Sequence, residues 1–477
     1  VIDVDGKSDV GIIGLGTMGK NLSLNFAQKG LRVSVYDKEY GVTKQFLSSI
    51  PFSYSIRGFQ GIDALVESLS RPRVIILLIT AGNPVDEVIN SLIPFLEVGD
   101  IVIDSGNSHF KDTERRYRFL AEKGFRFLGM GISGGSEGAL KGPSLMPGGD
   151  YQAYKQVEEM LKKIAAKSRY GECVNYMGER SAGHFVKMVH NGIEYGIIAG
   201  ISEVYQVMRE VLLLRTDEIA TIFEEWNELL FDSFLLRVAS IVLRQVDELT
   251  GAPFIDVILD VAEQKGTGLW FTQTALELGI PAITIAASVN SRMISVFKEL
   301  RMRISKNSQI KRRSLEQESL GLDLISLLKD ALMFVNYIAF SEGLWLLTRA
   351  SNEFGYNVQL DNVLKVWRKG SILESSFIDY LLLEDLGGLG CLIEKENIIK
   401  NLNLLYENVI QVSSIAKRYN IPIPVIDSAI NFYLSIVSEK LPANLVQAIR
   451  DWFGYHGFYR VDKPNQVFHF EKGEADS

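Results

Sequence analysis

The sequence predicts an α/β N-terminal domain, a doubly wound parallel sheet, followed by a large all-α domain and an extended C-terminal tail. Two patterns along the chain carry that prediction. Up to residue 180, short apolar runs alternate with glycine-rich turns and helical stretches, the rhythm of strand–helix–strand units. From Ser181 the glycine turns thin out, and long apolar-periodic stretches take over at 181–213, 227–247, 324–352, 398–418 and 425–438. The boundaries read this way are 1–180, 181–438 and 439–477. No short repeat is visible, although the two helical halves leave room for a distant internal relationship.

Val10-Gly11-Ile12-Ile13 reads as a buried strand that runs into Gly14-Leu15-Gly16-Thr17-Met18-Gly19, a G-x-G-x-x-G turn. A helix from Lys20 to Lys29 follows, stopped by Gly30, and Arg32–Tyr36 is a second strand ending at Asp37. Glycines let the backbone approach a pyrophosphate, and the helix N-terminus offers it free N–H groups and a positive dipole end. Within this strand–turn–helix–strand frame, an acidic residue about 20 positions on marks a Rossmann-like dinucleotide site. Val74–Ile79 and Ile101–Asp104 read as central parallel strands. Their following loops, Thr80–Asn83 and Ser105–Ser108, lie where open α/β sheets bind ligands. Gly129–Gly138 and Gly142–Gly149 read as flexible turns whose amides are free to close around a carboxylate.

In the helical half, Lys187, His190, Asn191, Glu194 and Tyr195 are spaced to form one stripe along one helix face. The rest of that helix (Phe185, Val186, Met188, Val189, Ile193, Ile197, Ile198) is apolar, so the polar stripe faces a cleft rather than bulk water. A lysine and a glutamate two turns apart in a partly dry cleft suit general-base and general-acid work; the alternative is a buried, internally satisfied polar network. Gln264-Lys265-Gly266-Thr267-Gly268 groups an ammonium, a hydroxyl and free amides, a combination suited to a phosphate. Arg292 sits amid small and apolar residues, where a lone arginine wants an anionic partner. Arg450 and His456 lie in the final segment, and Arg303–Glu318 reads as a basic, exposed connection.

The 477 residues carry a formal net charge of −8, which argues against a nucleic-acid partner. Two cysteines far apart make no disulfide framework, and five histidines form no metal-binding array, so no metal is expected and a reducing cytoplasm fits. No apolar run of membrane-spanning length and no signal-peptide pattern is seen, so no membrane association is expected.

These segments, in this order, resemble the 6-phosphogluconate dehydrogenase family from end to end. The motifs are GLGTMG at 14–19, DSGNS at 104–108, SGGSEGALKGPSLMPGG at 133–149, GHFVKMVHNGIEYG at 183–196, QKGTG at 264–268, SR at 291–292 and LPANLVQAIRDWFGYH at 441–456. The resemblance implies oxidative decarboxylation of 6-phosphogluconate to ribulose 5-phosphate with NADP, without a metal. It implies Lys187 as general base, taking the C3 hydroxyl proton, and Glu194 as general acid, protonating C1 of the enediol. Asn107, Ser133, Gly134, Gly135, His190 and Asn191 would hold the carboxylate and hydroxyls. Tyr195, Lys265, Thr267, Arg292 and Arg450 would hold the phosphate, assisted by His456. The nucleotide would lie on Gly14, Leu15, Gly16, Thr17, Met18, Gly19, Asp37, Lys38, Glu39, Ile79, Thr80, Ala81 and Asn107. A homodimer is implied, with each tail reaching the neighbouring subunit's cleft.

The chain departs from the family at several positions. Asp37-Lys38-Glu39 replaces the Asn-Arg-Thr of NADP users. An aspartate there favours the free ribose 2′-hydroxyl of NAD, and Lys38 meets a 2′-phosphate only as a point charge, so NAD stays open beside NADP. Thr80 stands where many relatives have lysine, Leu269 and Phe271 replace Lys and Thr, and Glu374 replaces an arginine. Two other readings remain: a β-hydroxyacid dehydrogenase of smaller, unphosphorylated substrates, and a non-catalytic nucleotide sensor.

Overall fold

The structure is a computed structural model and describes residues 6–312 and 321–470. Seven strands form one sheet: β1 (Val10–Ile13), β2 (Val33–Tyr36), β3 (Ile56–Gly58), β4 (Val74–Leu77), β5 (Ile101–Asp104), β6 (Arg126–Ser133) and β7 (Ser144–Gly149). Their order is β3-β2-β1-β4-β5-β6-β7. All pairs are parallel except β6 with β7. Alternate residues feed two apolar layers, Val10, Ile12, Val33, Val35, Ile76 and Ile103 on one face and Ile13, Ile75, Leu77 and Val102 on the other. Helices cover both faces, which is why these strands read as continuous apolar runs. The order reverses between β1 and β4, so the carboxyl ends of the strands open a crevice there.

Two sequence expectations for the sheet region are corrected. The first helix spans Thr17–Gln28, beginning inside the glycine motif rather than at Lys20, with Gly16 as its cap. The glycine-rich stretches read as flexible turns are largely strand: Gly129 and Gly131 lie in β6, and Pro147, Gly148 and Gly149 end β7. Between them Gly134 and Gly135, both with positive φ, lead into a short helix, Gly135–Lys141, which ends at Gly142, also with positive φ. Glycine there serves approach rather than flexibility. A Cβ on Gly131 would lie 2.4 Å from the Cβ of Lys187.

That contact belongs to the helix Ala182–Glu210, 29 residues long, which lies directly on β6 and β7. It packs lengthwise against a second long helix, Gly321–Phe354, 34 residues. The second helix is long and apolar enough to cross a membrane by length and composition, but it is the core helix of the helical region, with Leu328, Ala331, Phe334 and Val335 fully buried. Each long helix carries a Ser-Glu pair, Ser202-Glu203 and Ser341-Glu342. Glu342 accepts the backbone N–H groups of Thr284 (2.8 Å) and Ile285 (2.9 Å), at the start of the helix Ile283–Val296. Glu203 does the same for Val425 (2.7 Å) and Ile426 (2.9 Å), at the start of the helix Pro424–Val437. Both capped helices follow an Ile-Pro, at 280–281 and 421–422. The two halves are therefore built alike, and each supplies the buried carboxylate that satisfies the other's helix terminus.

Arg303–Asn307, expected in an exposed connection, belongs to the helix Lys298–Asn307, and 313–318 lie outside the described residues. By contacts the chain divides into Val1–Ala429 and Ile430–Ser477. Within the second unit, the helix Ala443–Gly454 and a hairpin of Phe458–Arg460 with Lys463–Phe468 are tied through Asp451. That buried carboxylate accepts Gly457 N–H (2.6 Å) and Phe470 N–H (2.8 Å) and meets His469 Nδ1 at 2.7 Å. Arg450 and His456 are exposed on this unit, and Arg450 donates to Gln447 Oε1 at 3.0 Å.

Candidate active site

The three glycines of the turn after β1 have three different surroundings. Gly14 has φ +99°, and a Cβ there would strike the Leu78 carbonyl at 2.4 Å. A Cβ on Gly19 would strike the Gly14 carbonyl at 1.9 Å, while Gly16 faces open space. The first makes the bend, the last seats the helix, and the middle one leaves room for a ligand against the backbone. Leu15 N–H donates to Asp37 Oδ2 (2.9 Å), and Glu39 N–H to Asp37 Oδ1 (3.0 Å). Asp37 thus pins the turn as well as ending β2, a role the sequence reading missed. Lys38 and Glu39 are exposed beside it. Thr17 and Met18 open the helix, and Ile79 of the Ile79-Thr80-Ala81 loop packs against Gly14.

The loop after β5, which carries exposed Asn107, is held from below. Buried Arg116 reaches Asp104 (3.2 Å), Ser108 (3.2 Å) and, with two bonds of 3.0 Å, Asp86. Its other donor reaches the Gly82 carbonyl at 2.9 Å, so one guanidinium ties the loops after β4 and β5 together. Asp86 is held down to about 2; its partial burial alone would raise it, and the Arg116 and Arg115 guanidiniums outweigh that.

The polar stripe faces the end of β6. Lys187 is 7 % exposed and His190 fully buried. Lys187 Nζ lies 3.4 Å from His190 Nδ1. Asn191 Oδ1 lies 3.1 Å from the same nitrogen, and Glu194 Oε2 3.8 Å. Burial pushes Lys187 down to about 8, against the pull of the Glu194 carboxylate. Burial also raises Glu194, opposed by Lys187 and Arg292. His190 is driven well below its ordinary value, by burial and then by Lys187, and is neutral. Its Nε2 sits between the hydroxyls of Ser133 (2.9 Å) and Ser371 (3.0 Å). Ser133 ends β6, and Gly134 and Gly135 follow it in the turn. Ser371 was not singled out from the sequence; it lies in a loop with no motif, 181 residues from its partner.

One turn further along the stripe, the Arg292 guanidinium stacks 3.6 Å from the centre of the Tyr195 ring. A Cβ on Gly268 would meet that ring at 2.7 Å, so the absence of a side chain seats the helix Thr267–Glu277 on Tyr195. Tyr195, Thr267 and Arg292 are thereby brought together, with exposed Lys265 in the same turn as Thr267. Phe271, fully buried, packs its ring on Gly192 and is a core residue. Among the described residues, no three His, Cys, Asp or Glu side chains group to hold a metal ion.

The model of the 6-phosphogluconate dehydrogenase C-terminal domain matches residues 183–472, and that of the NAD binding domain of 6-phosphogluconate dehydrogenase matches 9–178. An NADP(+)-dependent, decarboxylating 6-phosphogluconate dehydrogenase of Bacillus subtilis is 40% identical, with 98% of this chain and 99% of the relative covered. The NAD(+)-dependent, decarboxylating enzyme of the same organism is also 40% identical, covering 97% and 98%. A solved 6-phosphogluconate dehydrogenase of Plasmodium falciparum, described in apo form and in complexes with NADP+ and with 6-phosphogluconate, superposes with a TM-score of 0.93 at 37% identity, covering 97% and 99%.

Proposed function

The chain belongs to the 6-phosphogluconate dehydrogenase family, and on that premise we propose that it oxidises and decarboxylates 6-phospho-D-gluconate to D-ribulose 5-phosphate and carbon dioxide with reduction of NADP, in the oxidative branch of the pentose phosphate pathway. The observation that carries this reading is a lysine lowered to about 8 on the same buried helix face as a raised glutamate. The glycine turn and the loops after β2 and β4 suit a dinucleotide, which when bound supplies the hydride acceptor. Neutral Lys187 takes the proton from the C3 hydroxyl as oxidation proceeds. The resulting β-keto acid loses its carboxylate as carbon dioxide, and the Lys187 ammonium stabilises the enolate oxygen left behind. Glu194, whose affinity for a proton is raised by burial, acts as the general acid that delivers a proton to C1. Asn107, Ser133, Gly134, Gly135, His190 and Asn191 orient the carboxylate and hydroxyls. Tyr195, Lys265, Thr267 and Arg292 take the phosphate, favouring this substrate over smaller unphosphorylated hydroxyacids.

The domains are 1–180, 181–438 and 439–477, and the protein is a cytoplasmic homodimer whose tails bring Arg450 and His456 to the neighbouring subunit's site. Leu229, Val246, Leu249, Ile258 and Leu259, all at least half exposed, support a covered apolar surface. NAD is the second reading for the cofactor, favoured by Asp37 and by equal identity to NADP- and NAD-dependent relatives. The test is nicotinamide absorbance with 6-phosphogluconate and either cofactor, with carbon dioxide followed in parallel. Equal reduction and carbon dioxide support the proposal, and no reduction with either cofactor defeats it. Mixing refolded Lys187→Ala and Arg450→Ala chains tests the exchanged tail: about a quarter of wild-type activity returns if Arg450 acts across the dimer, and none if it acts within its own chain.

A further inference from the structure

We propose that Ser371 is a positioning residue that holds His190 in the tautomer with its proton on Nδ1, so that the neutral imidazole presents an N–H toward Lys187, Asn191 and the substrate. The inference deepens the functional reading above and rests on it for the catalytic consequence. The loop carrying Ser371 is fixed on every side. The Gly370 carbonyl accepts Ser144 N–H (2.9 Å) from β7 and closes over Gly134, where a Cβ would lie 2.5 Å from it. The Glu374 carboxylate folds back to accept Gly370 N–H (3.1 Å) and Lys369 (2.6 Å). Trp367, fully buried just before the loop, sets its ring edge-on to His190, 5.6 Å between centres.

A serine hydroxyl has one proton to donate and two lone pairs to accept with. Ser133 Oγ accepts Ile372 N–H (3.1 Å), and Ser371 Oγ accepts Leu373 N–H (3.0 Å). Both hydroxyls keep a proton to place, and His190 Nε2 is the acceptor within reach of both. Nε2 is then the bare nitrogen, and the proton sits on Nδ1, facing Asn191 Oδ1 at 3.1 Å. The two serines are not equivalent once substrate binds. Both are buried, at 2 % and 1 % exposed, but Ser133 ends β6 at the Gly134–Gly135 turn, among the residues that the functional reading assigns to the substrate carboxylate, so its hydroxyl turns to donate to that carboxylate. Ser371, outside that set, stays on Nε2. Without it, Nε2 is free to take the proton, and Nδ1 turns into an acceptor 3.4 Å from Lys187 Nζ. That bond favours the ammonium and moves Lys187 away from the neutral form the reaction needs.

The test combines tautomer and rate. Isotope-labelled histidine NMR is tractable because the chain has five histidines, and His190→Gln assigns the signal. The expected wild-type result, with or without substrate, is a bare Nε2 and a protonated Nδ1. In Ser371→Ala with substrate, Nε2 gains a proton, the acid limb of kcat moves to higher pH, and kcat near pH 7 falls about tenfold. Ser371→Cys, close in volume and a weak donor, restores part of each. A protonated Nε2 in the wild-type protein overturns the proposal, as does Ser371→Ala with a wild-type tautomer and an unmoved acid limb. Should Ser371→Ala fail to fold, the wild-type tautomer decides. No turnover by wild-type protein defeats the functional reading instead, and the tautomer in the free protein still decides the placement of Ser371.

Discussion

The helices Ala182–Glu210 and Gly321–Phe354 share length, apolar character and a buried glutamate that caps a helix in the opposite half. Aligned on Glu203 and Glu342, the positions of Lys187, His190, Asn191 and Glu194 hold Ser326, Lys329, Asp330 and Met333. Lys329 and Asp330 are only partly buried, and Asp330 binds Asn408 at 2.6 Å, a structural pairing. Lys187 differs because its helix lies on β6 at Gly131, which removes water from the amine. The capped scaffold is common to both halves, and reactivity comes from a polar stripe pressed against a glycine-bearing strand.

Removing the stripe's base is the largest break in that comparison. Lys187→Met is expected to lower kcat about a thousandfold or more while nucleotide binding, read by calorimetry, persists. Arg292→Ala leaves the stripe intact and removes a phosphate partner; KM for 6-phosphogluconate is expected to rise about a hundredfold, with a smaller change in kcat. Gly131→Ala tests the approach itself. The added methyl must push Lys187 and its helix off the strand, costing about 1–3 kcal/mol in denaturant unfolding and about tenfold in kcat. The subtlest comparison is between the caps. Glu203→Ala and Glu342→Ala each leave two N–H groups unpaired, so each is expected to cost about 2–3 kcal/mol. Only Glu342→Ala should also raise KM, by a few-fold, because its capped helix carries Arg292.

Much of the fold was legible because its signals are local. β1, β2, β4 and β5 are apolar runs sealed between helix layers, and the glycine turn announces itself within six residues. The stripe was legible because five polar residues at helical spacing are conspicuous on an apolar helix. β6 and β7 were not, because the glycines that make room for the site helix are the residues that ordinarily signal turns. Ser371 was hidden for another reason: its partner is distant in sequence and it sits in no motif. Arg116 also lies outside every motif, although its partners Asp104 and Ser108 belong to DSGNS.

The central claim is that Lys187 must be neutral for the reaction to start, and the pH dependence of kcat/KM with 6-phosphogluconate tests it most directly. A lysine lowered to about 8 gains its proton as pH falls, so the rate is expected to drop about tenfold per unit below that value and to level off above it. A rate that stays flat from about pH 6 to about pH 9 would contradict the account, because a base with the expected titration cannot then be limiting.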